Sequence, residues 1–257
     1  YVTKFVDADL AKLAKLAATP EQERTKGNAG ESTYRVSIVA AGITALAAAK
    51  ADVKSRVDRL HSLATTLGTY PMDAKARLLS LVAKQDRAKT MRAKLLADIV
   101  SATHETASAA TVTTSFTDAE RLLLVSSVKT NALALDALMR EMPANTLIPK
   151  LARGILEGRA RGRWRTTQDN LVVLTTMRRY FDLYEKVEPN FTSKLWLGKA
   201  AYAEAAFLGR SSKRSLATAG WDTLAPGSTH DLAIVKDGPG RMYYRVGITY
   251  APTQKNL

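Results

Sequence analysis

Apolar residues recur at three- and four-residue steps through most of the chain from Val2 to Tyr184. This period is typical of amphipathic α-helices that bury one face. The helical segments are each roughly 12 to 20 residues long, and short polar connectors join them. Because short connectors make neighbouring helices antiparallel, we expect a series of stacked helical hairpins. The period alone does not choose between a bundle, a solenoid and a closed ring.

Turn and capping residues divide this pattern into separate helices. Pro20 and Gly30 lie in a polar break between residues 19 and 30. Thr117 and Glu120 form the S/T-x-x-E pattern of a capping box ahead of an apolar run. Residues 103–115, rich in Ser, Thr and Ala, predict a loop that admits extended structure. The predicted helices cover residues 2–18, 31–50, 52–67, 86–101, 127–141, 145–157 and 166–184, and a further helix opens at Met72.

The composition changes after Pro189, which ends the helical region. Alternating stretches with β-branched and aromatic residues then predict strands. The sequence Asp237-Gly238-Pro239-Gly240 predicts a hairpin turn between two of them. The predicted strands are FTSKLWLG, AYAEAAFL, SLATAGWDTL and two from DLAIVKDGPGRMYYRVGITY. Such a set suits a small antiparallel β-sandwich or part of one.

Composition removes several functional classes. The 257 residues include no cysteine, so disulfides, Cys-ligated metals and a cysteine nucleophile are excluded. His61, His104 and His230 stand alone without metal-ligand spacing, and no Gly-rich phosphate-binding motif is present, so we expect neither metal nor cofactor. No apolar run approaches the roughly 20 residues of a membrane span. The net charge of +14 comes without a nucleic-acid-binding motif, so we expect no specific nucleic-acid partner.

The stretch GRWRTTQDNLVVLTTMRRYFDLY, residues 162–184, predicts a polar loop that leads into one strong helix. Thr166 or Thr167 is the expected N-cap, and Asp169 lies in the first turn, where its charge suits the positive helix end. Trp164 is expected to pack against the helix pair, while Gln168 and Asp169 satisfy backbone groups at the helix start. The helix face predicted to be buried consists of Leu171, Leu174, Met177, Tyr180, Phe181 and Tyr184.

The letters GRWRTTQDN, followed by an apolar helix that ends RRYFDLYEK, resemble the last helical hairpin of the thioester-containing domain of the alpha-2-macroglobulin family, bacterial type. Upstream, KTNALALDALMREMPANTLIPKLARGILEGR resembles the preceding hairpin. Downstream, NFTSKLWLG and GRMYYRVGITYAP resemble the strands that follow. The likeness is strongest over residues 129–252. Its signature residues here are Trp164, Thr167, Gln168, Asp169 and Tyr180.

The resemblance implies a mainly α fold with a β tail. Residues 1–187 would be the later part of a thioester-type α/α toroid, and residues 188–257 a segment of the CUB-like β-domain. In the family the first half of that β-domain precedes the toroid, so this segment would expose sheet edges. The family thioester joins Cys and Gln in a C-x-E-Q type motif, which this chain lacks. The chain already opens on a helix pattern, so we expect it to be a piece of a longer polypeptide.

The functional expectation follows from the same resemblance. The parent would be a large bacterial endopeptidase inhibitor that traps proteases after they cleave a bait region, located in the periplasm, in the cell envelope or outside the cell. Its partners would be target proteases and the remaining domains of the same polypeptide. This part would act structurally, as a shield, and not as an enzyme. The residues assigned to this structural role are the five signature residues named above. The resemblance assigns no catalytic, cofactor-binding or metal-binding residue to this chain.

Two alternatives come from other classes of protein. A cell-envelope interaction module would bind an anionic polymer through a basic face formed by Lys150, Arg153, Arg159, Arg161, Arg163 and Arg165. A toroid-fold carbohydrate-active enzyme would need paired carboxylates in a cleft. The pairs available for that are Asp118 with Glu120 and Glu185 with Glu188. All four lie at element ends, where capping and helix-dipole effects also favour acidic residues.

Overall fold

The chain forms two units, residues 1–180 and residues 181–257. The computed structural model describes residues 1–20, 23–24, 26–114, 126–211, 213–220, 222–224, 227 and 229–249, with backbone only for residues 26–29. In the first unit the helices are α1 (Val2–Ala18), α2 (Lys26–Ala48), α3 (Lys54–Thr66), α4 (Met72–Val82), α5 (Lys89–Ser101), α6 (Ser127–Glu141), α7 (Leu147–Glu157) and α8 (Thr167–Tyr180). Short strands β1 (Thr103–Glu105) and β2 (Ala110–Val112) form an antiparallel hairpin between α5 and α6.

The even-numbered helices form one layer of this unit. Helix α2 packs on α4, α4 packs on α6 and α6 packs on α8. The odd-numbered helices pack against this layer, with α1 and α3 on α2, α5 on α4 and α7 on α6. The predicted mainly α fold with a β component is therefore confirmed, and the helices are arranged in two layers.

Side-chain contacts fix the direction of the even-numbered helices. The Ser80 hydroxyl of α4 donates to Asp136 of α6 at 3.2 Å, and Arg179 of α8 pairs with the same carboxylate at 2.9 Å. Three residues earlier in α8 and four residues earlier in α6, the Thr176 hydroxyl donates to the Ala132 carbonyl at 3.3 Å. Because later residues of one helix meet later residues of the next, α4, α6 and α8 run in the same direction. Each connection between them returns through an odd-numbered helix.

Helix α6 lies at the centre of the unit and is buried on most of its surface. Its N-cap is Ser126, whose hydroxyl accepts the Lys129 amide at 3.0 Å. Leu135 and Leu138 are fully buried, and each such side chain contributes roughly 1.5 to 3 kcal/mol to stability. Small residues face the neighbouring helices and permit close approach. The buried positions of α6 are Lys129, Thr130, Asn131, Ala132, Ala134, Leu135, Ala137, Leu138 and Met139.

The β1–β2 hairpin is joined to α6 and α7 by two specific contacts. The Val112 amide donates to the Asn131 side-chain carbonyl at 2.7 Å, so the edge of β2 is satisfied by α6. At Gly154 of α7 a Cβ atom would lie 2.3 Å from the Ala110 carbonyl oxygen. Only glycine permits this approach, so α7 and β2 pack backbone to backbone.

The second unit begins with a π-helical turn (Phe181–Glu185) and contains a three-stranded antiparallel sheet. Strands β3 (Asn190–Leu197), β4 (Ala200–Leu208) and β5 (Leu232–Asp237) have the order β4-β3-β5. Phe191, which stacks on Phe207 at 5.1 Å between ring centroids, is the one fully buried side chain among these strand residues. The described residues therefore provide no second layer for the sheet, and the sandwich stays a prediction.

Two of the predicted strands are not found in the described part of the chain. In SLATAGWDTL, residues 215–220 and 222–224 form no strand, and residues 241–249 after the glycine-rich turn form none either. Both stretches have the alternating apolar and polar residues typical of a strand. A strand also needs a neighbouring strand edge, and the described residues of neither stretch pair with the sheet. Among the helices, α2 begins at Lys26, inside the predicted polar break. The predicted capping box at Thr117 and Glu120 lies outside the described residues.

Candidate functional site

A tight hairpin turn leads from α7 to Trp164. Ala160 and Arg163 exchange backbone hydrogen bonds of 3.0 and 3.2 Å, and the residues between them, Arg161 and Gly162, have φ of 53° and 79°. Two positive φ angles in succession match the primed turns that suit a two-residue loop. The turn directs Trp164 inward, where it is 7% exposed and its indole N–H donates to the Ile155 carbonyl at 3.0 Å.

Asn170 fixes the backbone on both sides of this tryptophan. Its side-chain amide donates to the Trp164 carbonyl at 2.9 Å and to the Thr166 carbonyl at 2.6 Å. Its side-chain oxygen accepts the Trp164 amide at 3.3 Å. The loop between α7 and α8 is thus held by a buried ring at one end and by a polar side chain at the other. Nothing in the sequence pattern singled out Asn170.

The start of α8 is a reciprocal cap. The Thr166 hydroxyl accepts the Asp169 amide at 3.0 Å, and the Asp169 carboxylate accepts the Thr166 amide at 3.3 Å. This geometry is the capping box, with Asp in place of Glu, and it confirms Thr166 as N-cap. Asp169 is buried and also accepts a short hydrogen bond from the Ser126 hydroxyl, the N-cap of α6. One carboxylate therefore joins the beginnings of two neighbouring helices.

Replacing Asp169 by alanine is expected to lower the free energy of unfolding by about 2 to 3 kcal/mol. A lost cap costs about 1 kcal/mol, and a lost hydrogen bond to a charged group costs about 1.5 kcal/mol or more. Urea unfolding monitored by circular dichroism measures the change. The exposed Asp52, whose carboxylate accepts the Lys54 amide at 3.0 Å at the start of α3, provides the matched control. A loss no larger for Asp169→Ala than for Asp52→Ala contradicts the double role.

The other three signature residues differ in burial. Tyr180 is buried at the end of α8, whereas Thr167 and Gln168 are exposed. Gln168 was expected to satisfy backbone groups, but its side-chain oxygen instead accepts the Lys129 ammonium group at 3.4 Å.

The predicted apolar face of α8 is confirmed at Tyr180, which is buried, and wrong at Leu171 and Leu174. Leu171 is 67% exposed and Leu174 is 61% exposed. The buried face consists of Asp169, Val173, Thr176 and Tyr180. The residues of this face recur at the same three- and four-residue steps. The face packs on α6, where the Thr176 hydroxyl donates to the Ala132 carbonyl. Phe181, also assigned to the predicted face, belongs to the second unit and is exposed.

A buried polar row crosses all four even-numbered helices, and sequence analysis missed it. The Ser37 hydroxyl of α2 donates to Asp73 of α4 at 3.0 Å, and both residues are buried. Lys129 of α6 is 5% exposed and interacts electrostatically with Asp73, Arg77 and Asp169. Burial lowers the pKa of both Arg77 and Lys129 from their ordinary values. The Arg77 Nε atom is buried without a hydrogen-bond partner. Two cations and two carboxylates thus balance inside the layer.

The six residues of the predicted basic face separate into two groups. Lys150 binds Glu105 in a short ion pair and also donates to the Thr106 carbonyl, while Arg153 pairs with Glu157 at 2.9 Å. The remaining four belong to the hairpin turn and are exposed: Arg159, Arg161, Arg163 and Arg165. Arg159 lies over the Trp164 ring, 6.0 Å from its centroid, and donates to the Leu156 carbonyl at 3.3 Å.

His61 and His104 lie in different surroundings. His104 is exposed on β1. The His61 Nδ1 atom of α3 lies 3.1 Å from the Tyr70 hydroxyl, and burial, with the charge of Lys94, lowers the pKa of His61. Burial and the charge of Asp98 raise the pKa of Tyr70. The negative charge of Asp58 raises the pKa of His61 and so opposes part of this decrease.

Stability is expected to fall as the pH drops below about 6.5, the pKa of an unfolded histidine. Because the folded pKa of His61 is lower, the unfolded chain binds this proton first, and stability is lost until the pH reaches the folded pKa. We expect His61→Gln to lose less stability than the parent chain between pH 8 and pH 5.5, measured by urea unfolding. Equal losses for the two proteins contradict the assignment to His61.

Of the two proposed carboxylate pairs, only Glu185 and Glu188 lie among the described residues. Asp118 and Glu120 lie outside the described residues. Glu185 accepts a short hydrogen bond from the Tyr243 hydroxyl and lies 3.7 Å from Arg241. Within the described part of the chain, no three His, Asp or Glu side chains lie together as a metal ion would require. None of the described helices combines the length and the apolar character of a membrane span.

Comparison with known proteins gives no assignment. No family model matches this chain, and no curated protein matches it.

Proposed function

We propose that this chain is a structural part of a large bacterial alpha-2-macroglobulin-like endopeptidase inhibitor. In this proposal it contains the later hairpins of an α/α toroid and the strands that follow. The observation that carries the proposal is the placement of the signature residues. Trp164, Asp169 and Tyr180 are buried, and Trp164 and Asp169 hold α6, α7 and α8 together through the contacts described above. Their hydrogen bonds serve packing and capping, which supports a structural role.

The two-layer arrangement supports the toroid. Parallel neighbours in one layer, each connected through a helix of the other layer, are what a ring of α/α hairpins requires. Leu171 and Leu174 lie exposed on the last helix of that layer, and Tyr34 lies exposed on its first. In a larger ring, neighbouring hairpins of the same polypeptide would cover such residues.

The second unit supports the same proposal. A three-stranded sheet with one buried strand residue needs a further layer for stability. Exposed apolar strand residues, Leu208, Leu232 and Val235 among them, suit a surface that the rest of a CUB-like domain would cover. In this proposal the chain performs no chemistry itself. It shields a protease that other parts of the parent have enclosed, in the periplasm, in the cell envelope or outside the cell.

The experiment is protease capture by the parent polypeptide. After incubation with trypsin, we expect trypsin to co-elute with the parent in size-exclusion chromatography, together with one early cleavage outside this chain. A thiol titration with methylamine, run in parallel, separates two forms of the trap. One new thiol indicates a thioester in the parent, and none indicates enclosure alone. Trypsin that elutes separately in every condition contradicts the proposal.

A further inference from the structure

The hairpin turn between α7 and α8 presents three unpaired arginines. Arg161, Arg163 and Arg165 are exposed, and within the described part of the chain none of their guanidinium groups makes a hydrogen bond or an ion pair. The acidic residues nearest in sequence are already engaged. Glu157 pairs with Arg153, and Asp169 is buried in the capping box. The turn therefore carries uncompensated positive charge.

These arginines are held on a fixed backbone. The buried Trp164 lies between Arg163 and Arg165, and both arginines are exposed. The surrounding hydrogen bonds of Trp164 and Asn170 fix the loop before any ligand arrives. A preorganised surface binds with a smaller loss of conformational entropy.

Arg161 occupies an unfavourable backbone position. Its φ of 53° lies in the left-handed region, where Gly and Asn are the usual residues of such turns. A non-glycine residue there costs of order 1 kcal/mol. The turn therefore places a third cation beside Arg163 and Arg165. Lys50 and Lys84 have similar positive φ angles, so the proposal depends on the exposed, unpaired charges and not on this angle.

We propose that this turn binds a linear polyanion through its phosphate groups. Guanidinium groups form paired hydrogen bonds with phosphate, and one phosphate has enough acceptor oxygens for more than one arginine. The only aromatic ring of the turn, Trp164, is buried, so the turn offers no exposed ring on which nucleic-acid bases stack. It also offers no exposed apolar side chain of the kind that enters a membrane interface. The chemistry therefore favours backbone phosphates.

The experiment measures binding of fluorescently labelled long-chain inorganic polyphosphate to the whole chain by anisotropy, between about 50 and 200 mM salt. The variant R161Q/R163Q/R165Q removes the three unpaired charges. We expect its affinity at the lowest salt to fall at least about tenfold, and the slope of log K against log salt to fall by about 2, since each phosphate contact contributes about 0.7. The side chains are exposed and unpaired, so the melting temperature should not change.

The control variant K4Q/K54Q/K89Q removes the same charge from exposed lysines on α1, α3 and α5. It should bind polyphosphate within about twofold of the parent chain. Equal losses in the two variants mean attraction by net charge alone and overturn the proposal, as does unchanged binding of the arginine variant. Poly-glutamate bound as tightly as polyphosphate overturns the phosphate assignment. Phosphatidylglycerol vesicles bound more tightly than polyphosphate overturn the linear-polymer assignment.

Discussion

Replacing Trp164 by alanine is expected to lower the free energy of unfolding by about 3 to 5 kcal/mol, the range for truncating a large buried aromatic side chain. The indole fills the junction between α7 and α8, and its N–H is the hydrogen-bond partner of the Ile155 carbonyl. The alanine variant loses the packing and leaves that buried carbonyl unsatisfied. Urea unfolding followed by circular dichroism gives the change. A large loss also means that the arginine turn is no longer anchored.

Two further variants separate the packing of the Trp164 ring from its hydrogen bond and provide a control on the adjoining helix α8. Trp164→Phe keeps most of the apolar volume and removes the indole donor, so we expect a smaller loss of about 1 to 2 kcal/mol. Leu171→Ala changes a residue of the same helix that is mostly exposed, and we expect a change within about 0.5 kcal/mol. A Trp164→Ala loss comparable to that of Leu171→Ala would contradict the anchoring role of the tryptophan.

Replacing Asp73 by alanine is expected to have an equally large effect, about 3 to 5 kcal/mol. Removing one partner of a buried charged set leaves the opposite charges without compensation. Asp73 accepts the Ser37 hydroxyl, and its charge favours the protonated forms of Arg77 and Lys129 inside the layer. The alanine variant leaves both cations buried with less opposing charge. Equilibrium unfolding in urea again measures the loss.

Asp73→Asn isolates the charge, because it keeps the volume and an oxygen that accepts the Ser37 hydroxyl. The matched control is Asp58→Asn, which removes an exposed carboxylate that pairs with Arg87 at 2.9 Å. An exposed pair contributes at most about 1 kcal/mol. If Asp73→Asn and Asp58→Asn lose the same stability, the buried row does not hold the layer together. Adding Lys129→Met to Asp73→Asn should restore part of the loss, since it removes one unmatched charge.

The sequence predicted much of the helical part, for local reasons. Helix α6 has the predicted bounds because a capping serine precedes it and Pro143 follows within two residues. Strands β3 and β4 were predicted because their alternation is local and their pairing needs only a short turn. The capping box at Thr166 and Asp169 likewise depends on four consecutive residues.

Features that depend on distant partners were not predicted. Leu171 and Leu174 satisfied helical periodicity, but which face of α8 is buried depends on the surface that α6 offers. Lys129 belongs to a residue type that is usually exposed, so its burial becomes visible only when α4, α6 and α8 lie side by side. The stretch after Gly240 had the pattern of a strand, but its described residues pair with neither edge of the sheet.

The apolar surface left exposed by the described residues of both units also bears on the proposed function. The even-numbered helices expose apolar residues at both ends of their layer, and the sheet lacks a covering layer within the described residues. In a longer trap-forming polypeptide, other hairpins and strands would supply those contacts. The polar row and the Trp164 anchor would then keep this part rigid while the rest of the molecule changes shape.

The most direct test of that account compares two substrates after the parent polypeptide has been incubated with trypsin. We expect cleavage of a small chromogenic peptide to continue, while cleavage of a large protein substrate falls to a small fraction of the rate with trypsin alone. This difference arises because an enclosed protease remains active but excludes large molecules. Unchanged cleavage of the large substrate, or equal inhibition of both substrates, would contradict enclosure and with it the proposed role of this chain.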